Sequence, residues 1–277
     1  MWRLSPYQDL LRIGKSRRRA IFLDIGSCGK NHHLSIFSKI LTSSFIIIVG
    51  NDARKLVADG FPLEKVVISD LRQGGLCYFG HRWGKPSLLT GFVLTEFADI
   101  GHDLFRTTQE TYPIAFIHGD VFDPKHLDVV PPLASAHGAS TGSPEDPTPD
   151  LCSLTSLNPL HGRVFAIHAS SFFHLFNEEK QLHVARALAG LLSPEPGSVI
   201  FGMHVGSPDK GIIPSPIPGE LYMFCHSPES WTELWDGLVF EKGMVNVQAV
   251  LVQMGREEPD APQTTMFTVL VWTVTRL

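Results

Sequence analysis

The chain has 277 residues, 43% of them hydrophobic and 18% charged, and a net charge of −5 at neutral pH. This is the composition of an ordinary folded chain of one large or two small domains, and its acidic balance offers no basic footprint for nucleic acid. The four cysteines, Cys28, Cys77, Cys152 and Cys225, lack CxxC spacing and suggest reduced thiols in an intracellular, cytoplasmic protein. The basic run Lys15–Arg19 is not followed by a long apolar segment with a cleavage site, so no leader is expected. The apolar run Phe45–Val49 falls far short of the roughly 20 residues of a membrane span.

In chain order, Pro6–Ile13 has the spacing of a short helix. Ile21-Phe22-Leu23-Asp24-Ile25-Gly26-Ser27-Cys28 then reads as a buried strand closing in a tight turn. In an open α/β sheet a nucleotide-like cofactor lies against backbone at such a strand end, and a glycine lacks the Cβ that would hold it off. Gly29–Ile48 then interposes about 20 residues where a βα turn takes about 2–6, before Asn51–Val57 starts a helix. Val66–Ser69 is a second strand ending at Asp70. That acid either accepts both hydroxyls of a bound ribose or caps the following helix.

Gly74–Thr95, rich in glycine and aromatics, separates Asp70 from a helix expected over Phe97–Phe105. The third strand, Ile114–His118, ends in Gly119-Asp120-Val121-Phe122-Asp123. A carboxylate there can accept from the exocyclic amine of adenine while the next backbone N–H meets a ring nitrogen. Gly26, Asp70 and Asp120 on three successive strand ends are more specific than any one of them. Ala134–Asp150 is small, polar and rich in proline, the composition of a flexible loop.

Val164–His168 is the fourth strand, and it runs into Ala169-Ser170-Ser171-Phe172-Phe173-His174-Leu175-Phe176. A helix over Glu178–Leu192 follows, opened by Asn177, and then a fifth strand over Ser198–His204. Pro208–Pro218 reads as a proline-rich loop. Ser227 is the N-cap of the next helix, with Pro228 in its first turn. Val245–Met254 and Thr265–Thr275 alternate well enough to pair as the last two strands. Strands alternating with helices and closed by an antiparallel pair describe a doubly wound α/β domain.

Phe22–Gly26, Ser69-Asp70-Leu71, Gly119–Asp123 and Ile167–Phe176, in this order, resemble class I S-adenosylmethionine-dependent methyltransferases. The likeness is to a fungal secondary-metabolism branch that includes carboxyl methyltransferases of meroterpenoid pathways. It covers most of the chain from about Ser5 onward, outside the two irregular segments. It implies a Rossmann-like, mostly parallel seven-stranded sheet in a single domain and S-adenosylmethionine as cofactor. Asp24, Gly26, Gly50, Asp70, Leu71, Asp120, Val121 and Ala169 would contact that cofactor.

The implied reaction is methyl transfer to a carboxyl or hydroxyl oxygen of a small natural product, of terpenoid, meroterpenoid or polyketide type. Such a chain needs neither nucleic acid nor membrane as partner and is compatible with a homodimer. A carboxylate acceptor needs no base. A hydroxyl needs one, and His174, then His204, are the catalytic candidates. Phe172, Phe173 and Trp231 would line the acceptor pocket. No residue spacing supports a metal, since His32-His33 falls in the first irregular segment.

Three features depart from that family. Gly50-Asn51-Asp52 looks like the direct continuation of the turn at Gly26, displaced by Gly29–Ile48. Asp70–Gln73 would normally run straight into Glu96–Gly101. The start is short of the family's N-terminal helical segment. Both irregular segments can be encoded with donor-like, branch-like and acceptor-like sequences, which suggests intron sequence retained in the reading frame.

Two other classes fit less well. A nicotinamide oxidoreductase would share the fold, but no clean Gly-x-Gly-x-x-Gly is present, and no tyrosine has a lysine four positions on. The remaining alternative is a methyltransferase-like chain impaired by its interrupted cofactor loop.

Overall fold

The computed structural model describes residues 7–17, 20–26, 51–70, 106–108, 110–133, 149–215, 221–256 and 265–277. The expected helix over Phe97–Phe105, both irregular segments, and residues 134–148 of the expected loop lie outside these, as do Gly50 and Leu71.

The sheet is built around β1 (Ile21–Ile25), which is buried along its whole length. Ile21, Leu23 and Ile25 pack toward one face and Phe22 toward the other. This is the period-two alternation of a strand covered on both sides, which calls for apolar residues at nearly every position, Asp24 being the exception. β2 (Val66–Asp70) and β4 (Val164–His168) flank it in parallel, with Leu23 opposite both Val67 and Ile167. β3 (Ala115–His118) extends the sheet beyond β2, and β5 (Val199–Val205) extends it beyond β4.

The chain then turns back on itself. β9 (Thr265–Arg276) runs antiparallel to β5, and β8 (Val245–Arg256) runs antiparallel to β9 at the sheet edge. The full order is β3-β2-β1-β4-β5-β9-β8. Its direction of winding reverses between β1 and β4, so a crevice opens at their carboxyl ends.

Helices cover both faces. α1 (Tyr7–Ser16) and α2 (Asn51–Ala58) bring Tyr7, Leu10, Ala53 and Leu56 onto Phe22, Ile68 and Phe201. α3 (Glu178–Leu191) and α4 (Pro228–Trp235) bring Val184, Leu188, Trp231 and Trp235 to the opposite core. Each large apolar side chain so buried contributes about 1.5–3 kcal/mol. α3 begins where the Asn177 side chain accepts the Lys180 N–H at 3.0 Å. Ser227 and Ser230 form a reciprocal capping box at the start of α4, with Pro228 in the first turn.

The strands and helices expected from the sequence are present wherever they fall within the described residues, with ends shifted by at most three residues. One expectation is corrected. The stretch read as a proline-rich loop contains β6 (Gly211–Pro214), which forms a two-stranded antiparallel hairpin with β7 (Tyr222–Cys225). Its inner residues Met223 and Cys225 pack on Val205, beyond the end of β5. Among the described residues no helix is long and apolar enough to cross a membrane.

Candidate active site at the carboxyl ends of the central strands

Asp24 and His168 are register partners on β1 and β4, which is why residues so distant in sequence meet. Both are buried, and His168 Nδ1–H donates to Asp24 Oδ1 at 2.8 Å. With that proton on Nδ1, His168 Nε2 accepts from the Ser170 hydroxyl at 2.8 Å, and Ser170 Oγ in turn accepts the Met203 N–H at 3.3 Å. The chain of bonds ties β1, β4 and β5 together at their carboxyl ends. Asp52, in the first turn of α2, brings Oδ2 within 3.8 Å of His168 Nε2. Asp24, expected to meet a cofactor, thus sits where expected but is engaged with His168. The sequence reading passed over His168, whose only signal was its place at the end of a strand adjacent to β1.

Gly26 leaves β1 with its N–H on the Ser69 carbonyl at 3.0 Å and with φ at +71°. A Cβ there would lie 2.3 Å from a Phe172 ring carbon. The close approach that this glycine permits is therefore to an aromatic ring laid over the turn. The same device recurs between β4 and β5, where a Cβ on Gly202 would lie 2.2 Å from the Ala169 carbonyl oxygen. Ala169 is fully buried and gives its N–H to Phe201 O at 2.9 Å. Ser171 follows with φ at +52° and its N–H on Met203 O at 2.7 Å. A left-handed non-glycine residue is strained, and such residues cluster at functional sites.

On the other side of β1, Asp70 ends β2 and is nearly buried, and its carbonyl accepts the Gly119 N–H at 2.9 Å. Asp120 is exposed at the end of β3. Its Oδ1 accepts the Phe122 N–H and its carbonyl the Asp123 N–H, both at 2.9 Å. Among the described residues the intervening Val121 N–H makes no hydrogen bond, while its side chain is buried at 9% exposure. His126 packs its ring on Gly119 and lies 3.3 Å from Ser69 Oγ through Nε2. Burial, and then the neighbouring His118, lower its pKa. The sequence reading did not single it out.

The residues expected to line an apolar acceptor pocket are packed together in an aromatic cluster. Phe172 is 7% exposed and meets Phe173 and Phe176 edge-on. Phe173 and Trp231 are completely buried, with ring centroids 4.9 Å apart at nearly right angles. His204, at the end of β5, lies 4.7 Å from the Trp231 ring and 5.7 Å from Phe173. Its Nδ1 accepts the Trp272 indole N–H at 3.0 Å, so the neutral ring carries its proton on Nε2. Burial, and then His174 and His226, hold its pKa well below the ordinary histidine value. Burial also pushes His174 and His226 down to about 4. The free thiol of Cys225 is pushed up to about 12 by the same cause, which keeps it protonated.

Burial thus lowers the proton affinity of both histidines expected to be catalytic, and His204 presents its Nε2–H as a donor. His226 is the member of this group that the sequence reading missed. Among the described residues no set of histidine, cysteine, aspartate and glutamate forms a metal-binding group.

The strand order, with six strands running one way and β9 alone reversed between β5 and β8, defines a Rossmann-like α/β fold of the class I methyltransferase type. No family model matches the chain. In sequence it is a homologue of fungal methyltransferases. It is 28% identical over 238 residues to O-methyltransferase phiE of Fungal sp. (strain ATCC 74256), covering 86% of this chain and 55% of that one. To the Asnovolin E/Chermesin D methyltransferase nvfJ of Aspergillus novofumigatus it is 25% identical, covering 81% and 64%. To methyltransferase ausD of Penicillium brasilianum it is 31% identical over 195 residues, covering 70% and 52%. The chain thus spans about half to two thirds of the length of these relatives. A solved 1,6-didemethyltoxoflavin-N1-methyltransferase from Burkholderia thailandensis aligns with 98% of this chain and 78% of its own, at 12% identity and a TM-score of 0.45. The fold is read from the strand order itself.

Proposed function

We propose that this chain is an S-adenosylmethionine-dependent methyltransferase acting on a carboxyl or hydroxyl oxygen of a small natural product. The observation that carries the reading is the reversal of strand order between β1 and β4, with Asp24, Asp70 and Asp120 at or just past the carboxyl ends of β1, β2 and β3. The names of the fungal relatives support it. The donor set fits the cofactor. Asp120 is exposed beside the Val121 N–H, which has no partner among the described residues, an acceptor next to a donor, which matches the amine and ring nitrogen of an adenine edge. Asp70 ends the neighbouring strand, where a carboxylate can accept from ribose hydroxyls. Gly26 and Ala169 would contribute backbone, and Gly50 and Leu71 belong to the same assignment. Asp24, a further cofactor candidate, would act from its bond to His168, which ties β1 to β4.

When bound, the cofactor supplies an electrophilic methyl on a sulfonium. The chain's own work is alignment and the exclusion of water. Phe172 over Gly26 and the aromatic wall behind it form the dry side of the cleft. With His174, His204 and His226 all held below the ordinary histidine value by burial, a carboxylate, already anionic, suits the site better than a hydroxyl. The reading includes a cytoplasmic setting and an acceptor of terpenoid, meroterpenoid or polyketide type. The chain would act alone or as a homodimer. Incubation with S-adenosylmethionine and a panel of such acids tests it. Production of methyl esters with stoichiometric S-adenosylhomocysteine supports the reading, and turnover confined to phenols contradicts the carboxyl preference.

The reading also bears on the two irregular segments. We take Gly29–Ile48 and Gly74–Thr95 as retained intron sequence. The approach of Asp52 to His168 supports this, since an uninterrupted turn from Gly26 would deliver the start of α2 to the end of β4. Transcript reads lacking both segments would agree, and mature reads spanning them would overturn it.

A further inference from the structure

Four of the buried polar atoms that lack a partner among the described residues belong to neighbouring side chains. His174 Nδ1, His204 Nε2, His226 Nε2 and Trp231 Nε1 are all buried without a hydrogen-bond partner among the described residues. The Trp231 ring stands 4.7 Å from that of His204 and 5.3 Å from that of His226. The three side chains come from the end of β5, the residue after β7, and α4. His174, in the turn after β4, is close enough to act electrostatically on His204. Folded proteins leave few buried polar atoms unpaired, because each costs about 1–3 kcal/mol. Several in one neighbourhood, on the acceptor side of the sheet, call for a ligand.

The protonation pattern says what kind. His204 Nε2 carries a proton because its Nδ1 accepts from Trp272, and Trp231 Nε1 can only donate. His226 Nδ1 pairs with the Ser230 hydroxyl at 2.9 Å, which leaves Nε2 facing no partner. The His204 Nε2–H and Trp231 Nε1–H donors, unmatched among the described residues, belong to rings 4.7 Å apart that pack with those of Phe173 and Trp272. We propose that His204, Trp231 and His226 form a carboxylate subsite for an acceptor with an apolar ring framework, the two N–H groups donating to the acceptor's oxygen. The methyltransferase reading supplies what the bound oxygen is for, while the donor arrangement alone decides whether it binds. His226 is then a substrate-binding residue.

The test uses the full chain labelled with 15N-histidine and titrated with benzoate, with phenol as the comparison probe, alongside calorimetry with S-adenosylhomocysteine. Saturable shifts of the His204 and His226 ring nitrogens by benzoate are expected. His226→Phe should weaken benzoate by about tenfold or more, leave S-adenosylhomocysteine binding unchanged, and keep or raise Tm, because it removes an unpaired buried nitrogen. No histidine shift while S-adenosylhomocysteine still binds would overturn the subsite and spare the methyltransferase reading. Benzoate shifts without S-adenosylhomocysteine binding would do the reverse. Binding of phenol in preference to benzoate would overturn the carboxylate assignment. A marked fall in Tm for His226→Phe would show that its nitrogens serve the fold instead.

Discussion

Gly26 carries two constraints at once. Its φ of +71° is one that L side chains rarely adopt, and its Cα face is occupied by Phe172. Gly26→Ala should therefore destabilise the chain by about 1–3 kcal/mol and displace Phe172. Urea melts would measure the loss, and wild-type stability would show that the turn tolerates a side chain. The buried histidines give the same scale a pH signature. His174 and His226 sit at about 4 in the folded chain against 6.5 for the ordinary side chain. They are depressed, so unfolding takes up protons. Their contribution is fully present above about pH 6.5 and is lost as pH falls toward 4, by an order of 3 kcal/mol each. A Tm that drops steeply over this window, and less steeply in His226→Phe, is the expected outcome.

What the sequence revealed at this scale was position, and what it hid was packing. Asp24, Asp70, Asp120, His174 and His204 could be placed at strand ends because strand periodicity is local. Whether a strand-end side chain faces a cleft or a wall depends on residues far away in the chain. His204 turned inward because Trp272 on β9 and Trp231 on α4 close over it. His168 was overlooked because its partner Asp24 lies 144 positions away.

Among the elements, the parallel strands were legible as apolar runs ended by acids or glycine, and α3 and α4 by their Asn177 and Ser227 caps. The β6–β7 hairpin was not. Gly211–Pro214 offers only two apolar residues between a glycine and a proline, one of them, Ile212, 74% exposed, so no alternation stands out. The hairpin matters because it is followed directly by His226 and the capping box of α4. Ser227→Ala removes the hydroxyl that accepts the Ser230 N–H at 3.2 Å. It should cost about 1 kcal/mol and loosen the helix that carries Trp231. Thermal melts and tryptophan fluorescence would report both changes, and an unaltered spectrum would show that α4 is held by packing alone.

For the whole molecule, the order β3-β2-β1-β4-β5-β9-β8 sets the crevice between β1 and β4, with Asp70 and Asp120 on one side and the aromatic, histidine-bearing wall on the other. Deleting Gly29–Ile48 and Gly74–Thr95 together should raise cofactor affinity if the turn from Gly26 to α2 was interrupted. Unchanged affinity would mark both as tolerated insertions, since long surface loops cost little closure entropy. The most direct measurement is calorimetric titration of the 277-residue chain with S-adenosylhomocysteine. Saturable one-to-one binding in the micromolar range, weakened about tenfold or more by Asp70→Ala, is the expected result. Absence of binding by a folded chain, with and without the two segments, would contradict the methyltransferase assignment.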